Sequence, residues 1–263
     1  MILGSVVCDN AASFLSKLPG EMIDLTITSP PYDALRTYNG FDFEPKAIIE
    51  GLHRTTKKGG VVVWIVNDGV EKGSETGSSF RQALMFLDAG FTLHDTMIWQ
   101  KVGVGHPDPT RYHQCFEYMF VFSKGRPKTV NLIADRPNKH AGEKQGGTQR
   151  EADGSIGKRW GAEKGKKTKA VGIRYNVWQV NQSKVADDEL WKKHPATFPL
   201  SLIKDHVLTW SNTGDVVCDP MSGSGQTALA ALSSGRWFTG CDISKEYAAL
   251  ANKRISSFLD NRP

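Results

Sequence analysis

The chain is predicted to fold as an α/β domain around a mostly parallel, twisted sheet with one antiparallel strand, and three observations carry that expectation. Short apolar runs rich in β-branched residues, as strands buried on both faces require, recur along the 263 residues and alternate with stretches of helical periodicity. One such run, Ile23 to Ile27, ends abruptly on Thr28-Ser29-Pro30-Pro31-Tyr32. Another, Asp215 to Cys218, leads into Asp219-Pro220-Met221-Ser222-Gly223-Ser224-Gly225 and then into a helical pattern. Ligands of open parallel sheets bind outside the carboxyl ends of the strands, so both runs end where chemistry is expected.

The elements follow in order. Ser5 to Cys8 reads as a strand and Ala11 to Leu18 as a helix ended by Pro19-Gly20. With the strand to Ser29 this gives a β-α-β opening whose strands are parallel. The loop beyond Tyr32 carries Arg36, Tyr38 and Asn39 and is either plain surface or a closure over substrate. A helix is expected from Pro45 to Thr56, stopped by Lys57-Lys58-Gly59-Gly60, then a buried strand from Val61 to Val66 and a helix from Phe80 to Asp88. Thr92 to Gln100 and Tyr118 to Ser123 read as an antiparallel hairpin that finishes the sheet. From Lys124 to about Asn181 the periodicity fades, and part of 139 to 169 is expected to be disordered in the free protein, while Trp160, Ile173, Tyr175, Val177, Trp178 and Val180 lead to the expectation that the later part folds. A helix from His194 to Ser211, opened by Pro195 and Pro199, precedes the Asp215 strand. A helix beginning at Ala228, a strand from Phe238 to Cys241 and a helix from Glu246 to Leu259 close the chain.

Composition narrows the function. No run of eighteen apolar residues occurs, and Asp9 stands where a signal peptide would still be apolar, so a soluble cytoplasmic protein with no membrane partner is expected. Cys8, Cys115, Cys218 and Cys241 show no Cys-x-x-Cys spacing. They read as buried reduced thiols, and no metal site is expected. The net charge of +5 is unevenly spread: Lys124 to Arg174 holds 14 Lys and Arg against 5 Asp and Glu, while the rest is slightly acidic. A charge run is often only a solvated face, but a basic segment on an acidic body is the footprint of a polyanion partner.

Two prolines after Ser29 forbid further strand pairing and make a stiff corner. It would present the Ser29 hydroxyl and the Pro30 carbonyl as acceptors beside the Tyr32 ring, the parts needed to grip a planar amine; a proline-capped strand with a packed Tyr32 is the plainer alternative. The 219–225 stretch is a nucleotide-binding loop by its physics, because glycine admits close approach and a helix start offers N–H groups. Asp242, seventeen residues past Gly225 at the next strand's end, is placed for two ribose hydroxyls. Gly223-Ser224-Gly225-Gln226-Thr227-Ala228 also satisfies the pattern of a Rossmann NAD site. Only 21 residues follow Asp242, however, so N-terminal strands must complete the sheet, and no Lys-Ser or Lys-Thr follows the glycines as in phosphate loops.

Thr28-Ser29-Pro30-Pro31-Tyr32 resembles the catalytic motif of amino-directed DNA methyltransferases. The order of catalytic strand first, cofactor loop last and a variable basic segment between them is similar to the beta class of that family, of bacterial or phage type. The resemblance implies a Rossmann-like class I methyltransferase fold in circularly permuted order. A catalytic half would span 1–123, a target-recognition insertion 124–193 and a cofactor-binding half 194–263. It implies S-adenosylmethionine as cofactor, with Thr28, Asp219, Pro220, Met221, Ser222 and Gly223 to Gly225 around its methionine end. His194, Pro195 and Phe198 would pack beside them, Asp242 would take the ribose and Asp9 the adenine amino group. Met221 stands where phenylalanine is usual, and Gln226 where threonine is common.

Ser29, Pro30, Pro31 and Tyr32 would then draw an exocyclic amine toward tetrahedral geometry. Arg36, Tyr38, Lys139, Arg159, Lys166, Lys167 and Arg174 are the candidate nucleic-acid contacts. No Pro-Cys supplies the thiolate that cytosine C5 chemistry needs. The expected substrate is double-stranded DNA with the target base flipped onto Tyr32, since a stacked base cannot meet the cofactor. Ser before Pro-Pro favours cytosine N4, with adenine N6 as the alternative. RNA or a protein glutamine is a further one, and a non-enzymatic DNA-binding protein a third. The resemblance also admits a cognate restriction endonuclease as partner and a monomer or homodimer.

Overall fold

The computed structural model describes residues 4–31, 43–103, 109–159, 165–181 and 198–261. Eight strands form one sheet: β1 (Val6–Cys8), β2 (Ile23–Thr28), β3 (Thr56–Val66), β4 (Thr92–Gln100), β5 (Phe116–Ser123), β6 (Val177–Gln179), β7 (Val216–Asp219) and β8 (Trp237–Asp242). Their spatial order is β1-β8-β7-β2-β3-β5-β4-β6, and every neighbouring pair is parallel except the two that β5 makes. The last two strands of the chain therefore lie between the first two. The expected α/β class, with one antiparallel strand and N-terminal strands completing the sheet, is what the fold shows.

Among the described residues six helices accompany the sheet: α1 (Ala11–Lys17), α2 (Pro45–Thr55), α3 (Ser78–Asp88), α4 (Leu200–Trp210), α5 (Gln226–Ser233) and α6 (Lys245–Asp260). Side chains cap the starts of three of them. Asn10 Oδ1 accepts from the amides of Ala12 and Ser13, and Ser244 Oγ from that of Tyr247. Asp68, just past β3, caps α3 by accepting from the Ser79 amide at 2.9 Å and its hydroxyl at 2.6 Å. Val61 to Val66 are all buried, as their unbroken apolar run requires. Trp64, Phe86 and Phe122 fill the layer beside them, the two phenylalanine rings stacked at 4.1 Å. No helix among the described residues is long and apolar enough to cross a membrane.

Several expectations are corrected. Lys57 to Gly60 do not follow a helix end as a loop but lie within β3, where Gly59 at φ +78° lets the chain pass Lys128; a Cβ there would sit 2.8 Å from that side chain. The hairpin does not finish the sheet, because Val177–Gln179 pairs in parallel outside β4. Helix α4 starts at Leu200 with Pro199 as its N-cap, and 182–197 lie outside the described residues. Cys8 is exposed, since β1 is an edge strand, while Cys218 and Cys241 are buried thiols.

The chain divides into two compact units, Met1–Asn131 with Asn176–Pro263, and Leu132–Tyr175. The smaller unit is paired where partial disorder was expected. Arg136–Pro137 lies antiparallel to Val171–Gly172, Thr148–Arg150 to Ile156–Lys158, and Lys144 bridges Lys167. Its side chains supply what its thin apolar content does not: the Arg136 guanidinium lies 4.4 Å from the Tyr175 ring centre, and Arg174 donates to Asp135 at 3.1 Å.

Candidate active site

Four parallel strands end side by side. Thr28 is the last residue of β2, Asp219 of β7 and Asp242 of β8, and Asp9 directly follows β1. The topology thus gathers residues from both ends of the chain at one sheet edge. Thr28 Oγ1 donates to Asp219 Oδ1 at 2.7 Å, Thr227 Oγ1 to Asp219 Oδ2 at 2.8 Å, and the Met221 amide to Oδ1 at 3.1 Å. Asp219 is only 3% exposed. Burial pushes its carboxyl up to about 6 against those hydrogen bonds, and the nearby charge of Asp242 adds to the rise.

The loop from Pro220 to Gly225 is built by its own polar groups. Ser222 Oγ donates to the Asp219 carbonyl at 2.8 Å and its amide to the Cys241 carbonyl at 2.9 Å. Gly225, at φ +79°, is the N-cap of α5, and a Cβ there would lie 2.9 Å from the Ala251 Cβ. Gly240 on β8 is as tightly held, with 2.5 Å from a built Cβ to both the Asp219 carbonyl and Ser222 Oγ. Larger residues at either glycine would push the loop off the sheet.

Asp242 accepts from the Gly223 amide at 2.8 Å through one oxygen and from the Ser244 amide at 2.8 Å through the other. Its carboxyl lies above the usual range because burial outweighs those two bonds. A carboxylate accepts about four hydrogen bonds, so two loop amides leave room for two further donors. Asp9 sits beside it, its amide donating to the Asp242 carbonyl at 3.0 Å. The Asp9 carboxylate pairs with Lys17 Nζ at 2.6 Å, and that hydrogen bond holds it below the usual range.

Ser29 and Pro31 are half-buried and Pro30 is buried, directly beyond Thr28. Tyr32, Arg36, Tyr38, His194 and Pro195 lie outside the described residues. Phe198 is described: its carbonyl accepts from Gln226 Nε2 at 3.0 Å. Gln226 Oε1 in turn accepts from Arg254 Nη2 at 3.2 Å, and Arg254 Nη1 donates to the Ser224 carbonyl. Gln226 and Arg254 are each 5% exposed. This network went unread in the sequence. The departure at Gln226 was its one signal, since a threonine could not span from Phe198 to Arg254.

In the smaller unit, Lys139, Arg159, Lys166 and Lys167 are exposed, whereas Arg174 is partly buried in its pairing with Asp135.

The sequence model of the DNA methylase family of N6- and N4-directed methyltransferases matches residues 23–253. The chain belongs to that family. It is 51% identical over 241 residues to the orphan methyltransferase M.BamHII of Bacillus amyloliquefaciens, covering 90% of each protein. It is 26% identical to the DNA adenine methyltransferase YhdJ of Escherichia coli strain K12, covering 95% of this chain and 82% of that one. Among solved structures, the PvuII cytosine-N4-specific DNA methyltransferase superposes with a TM-score of 0.69 at 17% identity, over 98% of this chain and 94% of that one. A putative DNA modification methylase of Thermus thermophilus, TTHA0409, complexed with S-adenosyl-L-methionine, does so at 0.64 and 23%, over 98% and 95%. As a DNA methylase the protein is a site-specific methyltransferase acting on an exocyclic amine of DNA, cytosine N4 or adenine N6, with the family's cofactor S-adenosylmethionine.

Proposed function

We propose that this DNA methylase methylates cytosine N4. The observation that carries the reading is Ser29, placed directly beyond the strand end that Thr28 fastens to Asp219. Ser in this position is the cytosine-type residue by family resemblance. The cytosine-N4 specificity of the PvuII relative in fold supports it, while the adenine specificity of YhdJ marks the alternative.

The residues at the sheet edge fit the cofactor. A carboxylate with accepting capacity to spare, a loop that only glycine can close against the sheet and a helix start without a side-chain cap suit a ribose and a charged amino-acid end. Asp242 would hold the ribose, Asp9 the adenine amino group and the Asp219–Gly225 loop the methionine end, with Phe198 alongside. When bound, S-adenosylmethionine supplies an electrophilic methyl on a sulfonium. The chain's part is positioning. The amine lone pair is delocalised into the base ring, so the Ser29 hydroxyl and the Pro30 carbonyl draw it out of plane by accepting its hydrogens. Tyr32 stacks the flipped base, with Arg36 and Tyr38 closing beside it. The smaller unit, with Lys139, Arg159, Lys166, Lys167 and Arg174, contacts double-stranded DNA as the core of the target-recognition insertion.

Mass spectrometry of nucleosides from DNA methylated by the pure protein tests the assignment. N4-methylcytosine is the expected product, and N6-methyladenine in its place overturns the choice of base.

A further inference from the structure

The 219–225 loop rests on α6, and α6 reaches past it to Phe198. Ala251 and Arg254, three residues apart and both buried, stand on one face of that helix. The small side chain of Ala251 admits Gly225, where a Cβ would lie 2.9 Å away. Arg254 Nη1 donates to the Ser224 carbonyl, and the other end of that peptide, the Gly225 amide, donates to the Ser222 carbonyl at 2.8 Å. The peptide between Ser224 and Gly225 is thereby fixed at both ends. Arg254 Nη2 then donates to Gln226 Oε1 at 3.2 Å, and Gln226 Nε2 to the Phe198 carbonyl at 3.0 Å. The Phe198 ring is held separately, edge-on to Trp99 with the ring centres 6.1 Å apart.

We propose that Gln226 and Arg254 are positioning residues for S-adenosylmethionine, which tie Phe198 to the glycine loop and so fix the two sides of the methionine end before the cofactor arrives. The inference rests on the cofactor reading given above. At 5% exposure each, neither side chain has surface to offer a ligand, so its effect passes through the groups it holds. The chemistry of residue 226 suits this role. A primary amide carries a donor and an acceptor on one planar group, so it answers a guanidinium on one side and a carbonyl on the other. An ionised carboxylate only accepts. A ligand that meets a pre-formed site avoids the cost of ordering loop and side chains, so a loosened tie is read as lost affinity.

Calorimetry of S-adenosylmethionine with the full chain, without DNA and below the melting temperature of each variant, is the test. Gln226→Met keeps the length and loses both bonds, whereas Gln226→Glu keeps the acceptor for Arg254 and loses the donor to Phe198. Each is expected to weaken binding about tenfold, and Arg254→Lys, which keeps a cation but not the forked reach, by a similar factor. The double variant Gln226→Met with Arg254→Lys should lose little beyond the larger single loss, because both residues serve one tie. A purely structural role would lower the melting temperature and leave the affinity of the folded protein unchanged. That result overturns the proposal, as does wild-type affinity in Gln226→Glu or a double variant whose losses multiply. Asp242→Ala separates this failure from a failure of the cofactor reading. If it weakens binding while the Gln226 variants do not, only the tie is wrong; if neither changes the affinity, both fall.

Discussion

Thr28 Oγ1 and Asp219 Oδ1 meet at 2.7 Å across 191 residues of sequence. That bond crosses from the last residue of β2 to the last residue of β7, so it fixes the Ser29-Pro30-Pro31 corner against the 219–225 loop at the sheet edge. Two further bonds, from Thr227 and the Met221 amide, share the same carboxylate. The site is therefore pinned through one buried acid, and its chemistry should respond to that acid's partners.

Thr28→Val keeps the shape and removes the hydroxyl. Leaving a buried carboxylate short of a donor costs about 1–3 kcal/mol, read as a lower denaturation midpoint. Thr28→Ser should recover most of it, which separates the hydrogen bond from the packing of the methyl group.

Asp219 gives stability a pH signature. Its ordinary value is 3.8 and burial raises it to about 6. Between those values the folded protein holds a proton that the unfolded chain has released. This contribution is present at low pH, falls as pH rises through the window and is gone above about 6. The difference amounts to about 3 kcal/mol for two pKa units. Asp219→Asn does not titrate there, so its stability relative to wild type should rise between pH 4 and pH 7. Paired urea melts across that range check it, and parallel curves would show that the group does not titrate in the window.

Asp242→Ala removes the carboxylate proposed to hold the ribose and releases the Gly223 and Ser244 amides. Charge-assisted hydrogen bonds of about 1.5–3 kcal/mol correspond to a loss of roughly tenfold to over a hundredfold in S-adenosylmethionine affinity. Calorimetry reads this directly, and unchanged affinity would assign the ribose elsewhere.

Ser29→Ala should lower single-turnover methylation by a hundredfold or so while DNA affinity stays within a few-fold, because the acceptor matters most as the amine becomes tetrahedral. A matched loss in binding and rate would instead make Ser29 a binding residue.

Neutralising Lys139, Arg159, Lys166 and Lys167 together should flatten the dependence of DNA affinity on salt. Each phosphate contact contributes a slope of about 0.9 in log affinity against log salt, so the loss approaches four such units. Arg174 is left out because Asp135 already engages its guanidinium. Fluorescence anisotropy at several salt concentrations measures the slope, and an unaltered one would return the smaller unit to a merely solvated insertion.

The two strand ends at this edge were legible because the residues that shape them are local. Two prolines stop β2 whatever surrounds it, and the glycines of the 219–225 loop announce close approach on their own. N-terminal strands were expected in the same sheet, and β1 and β2 do flank β8 and β7, but the full strand order comes from the structure alone. Contacts between distant side chains could not be read either. Gln226 joins Phe198 to Arg254 over 28 residues in each direction, and nothing near it in sequence shows those partners. The pairing of Arg136–Pro137 with Val171–Gly172 and of Thr148–Arg150 with Ile156–Lys158 went unread for a related reason. These ladders are short and the stacking pair, Arg136 on Tyr175, spans most of the smaller unit, so local hydrophobic periodicity stays weak. Helix α4 starts later than expected, because prolines at 195 and 199 both resemble helix openers and Pro199 is the N-cap of Leu200–Trp210.

The placement of β7 and β8 between β1 and β2 has a bearing on synthesis. Until residues 216–219 leave the ribosome, β2 keeps an unpaired edge where β7 will pair. That edge of β2 stays open and prone to association until β7 and β8, which lie far downstream in the chain, are made. A message truncated before residue 216 would yield no partial enzyme, only a sheet with a gap in its middle. Stalled chains ending at 215 and at 261 should differ sharply in protease resistance across β2, the longer being protected.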